Sequence, residues 1–343
     1  MAEGERYSRQ LLFAPLGRRG QQRLAAARVA IVGCGALGTA QADLLARAGV
    51  GRLLLLDRDY VEPSNLQRQT LFDEQDALAG LPKAIAAKAR LQRINSAIEI
   101  EAVVTDLEPG NALRLLRGCD VLLDGTDNFE TRFLLNDLAL SERIAWIYGA
   151  AVGSRGMTFT IRPGVSACLE CLFPGDGQDP TLPETCDTVG VLGWMVSWVA
   201  ALQVAECIKL LSGNEAALRT TLVRADLWTN SFHEWPAPAP DPHCRACARR
   251  DFAYLRGARR AALTLCGRNA VQIHEHDHPL ELAGLAERLR PHGLVRSNEF
   301  ALRFVPTVPA GLELMIFPDG RALIKGTTEP GLARSLYARY IGA

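Results

Sequence analysis

Along the first half of the chain, two hydrophobic rhythms alternate. Unbroken runs rich in leucine and β-branched residues, ARVAIV at 27–32, GRLLLLD at 51–57, EIEAVVTDL at 99–107, CDVLLDG at 119–125 and Ile144–Ala151, have the length and composition of buried strands. The residues following Gly35 and the stretch Pro82–Asn95 read as helices between them. Strands alternating with helices predict a doubly wound, mostly parallel α/β sheet whose ligand crevice lies beyond the strand carboxyl ends. The pattern changes character at MTFTIRP, 157–163.

Farther on, Val191–Leu211 is almost continuously apolar, but Gln203, Glu206 and Lys209 recur in it every three residues. That spacing predicts a core helix with one wet edge and argues against a membrane span. Trp235–His243, WPAPAPDPH, reads as an extended linker, and Cys244 and Cys247 directly after it imply that the linker returns to the main body. From Gly257 the pattern differs again: ALTLCGRNAVQIHE, a helix LELAGLAERLRP, RSNEFALRFVP, a hairpin LELMIFPDGRALIKG with a Pro-Asp-Gly turn, and a closing helix GLARSLYARYI. The expected organisation is a large domain at 1–255 and a small C-terminal α+β domain at 256–343.

Charge narrows the function classes. The 343 residues carry 38 Lys plus Arg against 38 Asp plus Glu, so no net field gathers nucleic acid or an anionic membrane surface. The first thirty residues hold no apolar core of signal-peptide length, which predicts a cytoplasmic protein. Nine cysteines, an odd number that includes two CxxC pairs, then read as reduced thiols and a metal site in preference to disulfides.

Gly33-Cys34-Gly35-Ala36-Leu37-Gly38 is a GxGxxG turn between strand and helix, the Rossmann-like arrangement that lets backbone N–H groups and a helix N-terminus approach phosphates. Asp57 ends the next strand, where an acid meets a ribose hydroxyl. These two features alone suit an NAD-dependent oxidoreductase. Arg58 to Gln69 and then Lys83 follow, however, and a redox dinucleotide gains little from those extra cations. A triphosphate whose α-phosphorus accepts a carboxylate needs Arg and Lys on the transferred and departing phosphates. Asp127, in Asp124-Gly125-Thr126-Asp127-Asn128 at a strand end, offers a carboxylate for Mg²⁺.

DRDYVEPSNLQRQ at 57–69, with GCGALG before it and DGTDN after it, closely resembles the ThiF/MoeB/HesA adenylyltransferases, relatives of ubiquitin-activating enzymes, over roughly the first 250 residues. The resemblance implies ATP-dependent adenylation of the C-terminal glycine of a ubiquitin-like sulfur-carrier protein, ThiS- or MoaD-like, en route to a thiocarboxylate for thiamine or molybdopterin synthesis. It implies that the glycine turn, Asp57, Asp59, Asn65, Arg68 and Lys83 contact ATP and that Asp127 binds the magnesium. Arg9, in Tyr7-Ser8-Arg9-Gln10, matches a family arginine that reaches the triphosphate from the partner subunit, which implies a homodimer. The tail, with CGRNAVQI and FPDGRALIKGT, is similar to that of longer ThiF-like proteins and favours the thiamine branch. No rhodanese-type module is recognisable, so the sulfur donor, a cysteine desulfurase or sulfurtransferase, is expected to be a separate protein.

Cys168-Leu169-Glu170-Cys171 and Cys244-Arg245-Ala246-Cys247 suit a closed, tetrahedral, structural Zn²⁺ site, and the resemblance places the family's zinc on the matching cysteines. Cys186 lies in PETCDTVG just before the long apolar helix, where a helix N-terminus can lower a thiol pKa. Its TCxxxGV pattern resembles the family cysteine that in some members takes the activated carrier as a covalent adduct or assists sulfur transfer. Cys34, Cys119, Cys207 and Cys266 sit where burial is the default and receive no chemical role. Two other readings remain open at this stage: an NAD-dependent oxidoreductase with structural zinc, and a non-catalytic module that binds a ubiquitin-like protein.

Overall fold

A computed structural model of the chain describes residues 3–174, 189–258, 264–265, 270–274 and 280–342. They belong to two compact units, Met1–Leu78 with Lys83–Arg260 and Ala79–Pro82 with Ala261–Ala343.

Eight strands form the sheet of the first unit: β1 (Arg28–Val32), β2 (Arg52–Asp57), β3 (Glu99–Val104), β4 (Val121–Asp124), β5 (Ala145–Val152), β6 (Arg155–Ile161), β7 (Thr221–Asp226) and β8 (Ser231–Pro236). Their spatial order is β3-β2-β1-β4-β5-β6-β7-β8. The pairs from β3 through β5 are parallel and those from β5 onward antiparallel, so the change of pattern near Met157 marks the antiparallel extension. The order reverses between β1 and β4, the switch point at which α/β sheets open a crevice. Helices α1 (Gly17–Ala26), α2 (Ala36–Ala48), α3 (Lys83–Ile94), α4 (Pro109–Leu116), α5 (Phe129–Glu142) and α6 (Gly193–Ser212) accompany this sheet. Each parallel strand needs a crossover, and the amphipathic helices supply it while covering the apolar strand faces.

Helix α6 corrects one expectation. By length and composition it is apolar enough to cross a membrane, with mean hydropathy 1.4, but 56% of that window is buried within the protein. The wet edge does not exist at Gln203 and Glu206, which are 0% and 1% exposed. Gln203 Nε2 donates to the main-chain carbonyls of Asp124 and Ile147, both at 3.0 Å, and Gln203 Oε1 accepts from Gln41 Nε2 at 2.6 Å. Glu206 pairs with Lys209 at 2.6 Å and accepts from the Arg219 amide at 2.9 Å. Gln203 and Glu206 therefore satisfy strand carbonyls and a loop inside the protein. Gly149 is required beside Gln203, since a Cβ there would lie 2.4 Å from that side-chain amide. The linker is also shorter than expected, because Trp235 and Pro236 belong to β8.

The second unit is a six-stranded sheet of β9 (Thr264–Leu265), β10 (Ala270–His274), β11 (Gly293–Ser297), β12 (Leu302–Pro306), β13 (Glu313–Ile316) and β14 (Arg321–Lys325), in the order β11-β12-β13-β14-β10-β9, with every pair antiparallel. Helices α7 (Leu282–Leu289) and α8 (Pro330–Tyr340) bury Leu285, Leu289, Leu336, Tyr337 and Tyr340 in one core with strand residues such as Phe304, Leu314 and Ile324. The Pro-Asp-Gly hairpin turn is present: Gly320 takes φ +85°, and Asp319 accepts the Arg321 amide at 3.1 Å. Cys266 lies outside the described residues.

Candidate active site and cysteine knuckle

The glycine turn lies at the β1/β4 switch point, and its glycines do different work. Gly33 takes φ +89°, and a Cβ on it would meet the Gly125 carbonyl oxygen at 2.6 Å. A Cβ on Gly38 would lie 1.8 Å from the Gly33 carbonyl oxygen, and one on Gly125 would lie 2.4 Å from that same oxygen. Those three residues let two loops and α2 close backbone to backbone. Gly35, which precedes α2, differs: its Cβ would meet only the Gly125 oxygen, at 3.9 Å. The space over Gly35 is open, as a phosphate approaching a helix N-terminus requires.

Asp57, at the end of β2, accepts from the Cys34 amide at 2.6 Å and from the Asp59 amide at 2.7 Å, so it ties the glycine turn to the loop after β2. Burial pushes its carboxyl above the usual carboxylate range against the pull of the Lys83 ammonium. Lys83 begins α3 and is 4% exposed. Its amide donates to the Asp59 carbonyl at 2.8 Å and its Nζ to the Asp59 carboxylate at 3.1 Å. Such a buried ammonium persists only because it is paired. Arg58 pairs with Asp106 at 2.9 Å. Burial opposes the charge on Arg58, but Asp106, Asp59 and Asp127 together hold its guanidinium above the ordinary value.

Asp127 stands exposed just beyond β4. It does not cap α5, since Asn128 Oδ1 accepts from the Thr131 amide at 2.9 Å and fills that position. Asn65 and Arg68 bond within their own turn, and among the described residues no hydrogen bond or ion pair joins them to Asp57 or Lys83. Asn65 is buried and accepts from the Glu62 amide at 3.1 Å, while Arg68 Nη1 donates to the Ser64 carbonyl at 2.8 Å. Arg9 is exposed in the one-turn helix Ser8–Leu11. Cys186 lies outside the described residues. Sequence reading missed Arg132 and Asp124, a buried pair at 2.9 Å beneath the Asp127 loop. The acid was visible in DGTDN and the arginine eight residues on, but nothing in the spacing says that they meet.

Cys34, Cys119 and Cys207 are all buried, and burial raises each thiol pKa, that of Cys119 to about 11, which leaves them unreactive. The four CxxC sulfurs converge, with Sγ–Sγ separations of 3.7 Å for Cys168–Cys171, 3.7 Å for Cys168–Cys244 and 3.5 Å for Cys171–Cys247, and all lie within 4.8 Å of one another. A tetrahedron with Zn–S bonds of about 2.3 Å has edges of about 3.8 Å, so the cluster has the dimensions zinc requires. Arg245 links the two knuckles, donating from Nε to Glu170 at 3.1 Å and lying 3.6 Å from Asp137 of α5. Cys168 and Cys244 belong to the apolar cluster that holds Trp146, Phe133 and Phe159.

The ThiF family model matches residues 7–246. The sulfur carrier protein ThiS adenylyltransferase of Bacillus subtilis (strain 168) is 43% identical over 341 residues, covering 98% of this chain and 99% of its own. The SAMP-activating enzyme E1 of Haloferax volcanii is 37% identical over 243 residues, covering 71% of this chain and 88% of its own. Among solved structures, E. coli MccB with ATP superposes with a TM-score of 0.61 at 24% identity, over 71% of this chain and 74% of that one, a likeness of fold alone. The chain belongs to the ThiF family.

Proposed function

We propose that this chain is an adenylyltransferase that uses ATP to activate the C-terminal glycine of a ubiquitin-like sulfur-carrier protein. The observation that carries the reading is the buried Lys83 ammonium, held on Asp59 beside an open glycine turn. The diphosphate bridge of a redox dinucleotide has no departing phosphates for such a cation to neutralise. The match to a ThiS adenylyltransferase along almost the whole of both chains supports the choice of carrier and, with it, the thiamine branch.

The chemistry follows from charge. A carboxylate oxygen of the carrier bonds to the α-phosphorus as the bond to the bridging oxygen breaks, and pyrophosphate leaves with the electron pair. No general base is needed, because a terminal carboxyl with a pKa of about 3.5 is already ionised at neutral pH. The chain contributes alignment and charge neutralisation. The backbone around Gly33, Gly35 and Gly38 receives phosphate, with Asp57 and Asp59 framing the site, and Lys83 stabilises the leaving group. Asn65 and Arg68, from the adjoining turn, and Arg9 of the partner subunit in a homodimer complete the nucleotide site. Asp127 would hold Mg²⁺ through a carboxylate oxygen, and the ion would supply positive charge against the departing phosphates. Zinc at Cys168, Cys171, Cys244 and Cys247 is structural, since four thiolates leave no open position. A persulfide sulfur of a separate donor then bonds to the acyl carbon as AMP leaves, and a second thiol cleaves the resulting acyl disulfide, giving the thiocarboxylate and a disulfide. Cys186 is the thiol assigned to take the activated carrier, and the cytoplasm is the compartment in which these thiols stay reduced.

The test is to combine the purified protein with ThiS- and MoaD-like carriers, ATP and Mg²⁺, and to weigh the products with and without Cys186→Ala. Pyrophosphate and a carrier heavier by one AMP unit are expected only when all components are present. Tight NADH binding without pyrophosphate release would identify an oxidoreductase instead. Carrier binding without pyrophosphate release would identify a non-catalytic module.

A further inference from the structure

We propose that Arg132 is a positioning residue that aims the Asp127 carboxylate at the metal–nucleotide, an inference that rests on the adenylation reading. Arg132 lies in the first turns of α5 and is 6% exposed. Its Nε donates to Asp124 at 2.9 Å, and its Nη2 donates to the Thr126 carbonyl at 2.7 Å and to the Gly149 carbonyl at 3.1 Å. The other Asp124 oxygen accepts from the Thr126 amide at 2.9 Å and from its hydroxyl at 2.7 Å. Thr126 is thus gripped at both ends, by Asp124 on the nitrogen side and by Arg132 on the carbonyl side.

The Thr126 carbonyl lies in the rigid peptide plane that ends at the Asp127 Cα. Fixing that plane fixes where the Asp127 Cα sits and the N–Cα axis about which its side chain turns, and Asn128, which caps α5 by accepting from the Thr131 amide at 2.9 Å, holds the residue on the other side. The base of the grip is firm, because Gln41 and Gln203 both donate to the Asp124 carbonyl, at 2.8 Å and 3.0 Å. The guanidinium carbon also lies 5.5 Å from the centre of the Phe129 ring and 5.3 Å from that of Tyr148. Burial opposes the charge on Arg132, but Asp124 foremost, with Asp127 contributing, holds its guanidinium above the ordinary value. Only arginine has a planar fork that serves a carboxylate and two carbonyls at once; lysine keeps the charge and loses the fork.

Arg132→Lys separates positioning from simple structural support. The readouts are pyrophosphate release against Mg²⁺ concentration at saturating ATP, Mn²⁺ affinity of the ATP-loaded protein by electron paramagnetic resonance, ATP affinity without metal, and thermal melting. Groups that orient a metal ligand typically carry about 10–100-fold in affinity or activity. The expected result is a half-saturating Mg²⁺ concentration raised about tenfold, Mn²⁺ affinity reduced to match, and metal-free ATP affinity unchanged. Thr126→Ala, which removes one bond to Asp124 and is too small a change to unfold the protein, is expected to shift both metal readouts in the same direction by less. Wild-type metal affinity in Arg132→Lys overturns the proposal, and should that variant fail to fold, wild-type metal affinity in Thr126→Ala overturns it. A wild-type protein that releases no pyrophosphate with any carrier sinks the adenylation reading instead, an outcome distinct from these.

Discussion

The nucleotide crevice and the cysteine knuckle are both built from short motifs, yet they manage polar groups in opposite ways. In the crevice, Asp57, Asp59, Arg58, Lys83 and Asp106 pair with one another and with backbone amides, so the side chains are held before any ligand arrives. The space over Gly35 stays open in their midst. In the knuckle, four sulfurs crowd within 4.8 Å, two of them buried in an apolar cluster, with their mutual contacts at 3.5–3.7 Å. Four thiolates at that spacing repel each other strongly unless a cation sits among them. The first region is arranged to receive a ligand and let it go; the second is arranged to keep one.

The sharpest break of this comparison lies at Lys83. Replacing it with methionine keeps the stem that fills the space and removes the charge, while Arg58, 3.8 Å from Asp59, remains to offset the lost partner. The turnover rate is expected to fall by about 10²–10³, as when a single charge-stabilising donor is lost, with a much smaller change in ATP affinity. Steady-state pyrophosphate release together with ATP calorimetry checks it. A variant with near-normal turnover would move the phosphates elsewhere.

The knuckle should behave in the reverse sense. Chelating the metal, or Cys171→Ser, is expected to lower the melting temperature by about 10 °C, since a loss of a few kcal/mol shifts a domain of this size by that much. The protein that remains folded at low temperature is expected to retain ATP affinity, because the glycine turn, Asp57, Asp59 and Lys83 are tied to one another and not to the cysteines. Calorimetry with metal content measured in parallel decides it. Rapid loss of turnover without a stability change would mean that the metal takes part in chemistry.

Much of this contrast was legible in the sequence and some was not, for physical reasons. Buried parallel strands must be apolar on both faces, so β1, β2 and β4 announce themselves. Spacing also announces the two CxxC pairs. Gln203 and Glu206 misled, because a polar stripe on a helix has the same period whether it meets water or the carbonyls of buried strands. Arg132 and Asp124 were unreadable as partners, since a salt bridge depends on where α5 starts relative to β4. The glycine motif showed that close approach was needed but not of what: Gly33 and Gly38 answer to backbone, whereas Gly35 answers to open space, and the difference is set by the distant Gly125 loop.

Those glycines give a paired prediction of intermediate size. Gly38→Ala drives a Cβ to within 1.8 Å of the Gly33 oxygen, so backbone must move, and stability is expected to fall by about 1–3 kcal/mol. Gly35→Ala meets nothing closer than 3.9 Å and should melt like the wild type, while ATP affinity drops about tenfold as the methyl occupies the phosphate's approach. Melting and nucleotide titration on the two variants separate the roles. Equal melting losses would erase the distinction between packing glycine and ligand glycine.

The smallest expected effect tests the seam between the knuckle and α5. Asp137 accepts from the Tyr254 and Leu255 amides and faces Arg245, and burial foremost pushes its carboxyl up to about 6 despite that arginine. A carboxyl that binds its proton more tightly folded than unfolded favours the fold most at low pH, below its unfolded value of about 3.9, and that contribution is lost as pH rises through about 6. Asp137→Asn keeps an acceptor for the amides and cannot titrate. The melting temperature of the wild type relative to this variant should therefore decline by a few degrees, roughly one or two kcal/mol, between pH 5 and 7 and then level off. The cysteine knuckle is the same in both proteins, so its own pH dependence cancels in the difference. A relative stability that rises with pH would mean that Arg245 outweighs burial at Asp137, making the seam an ion pair held for its charge and not a buried acid tolerated for its hydrogen bonds.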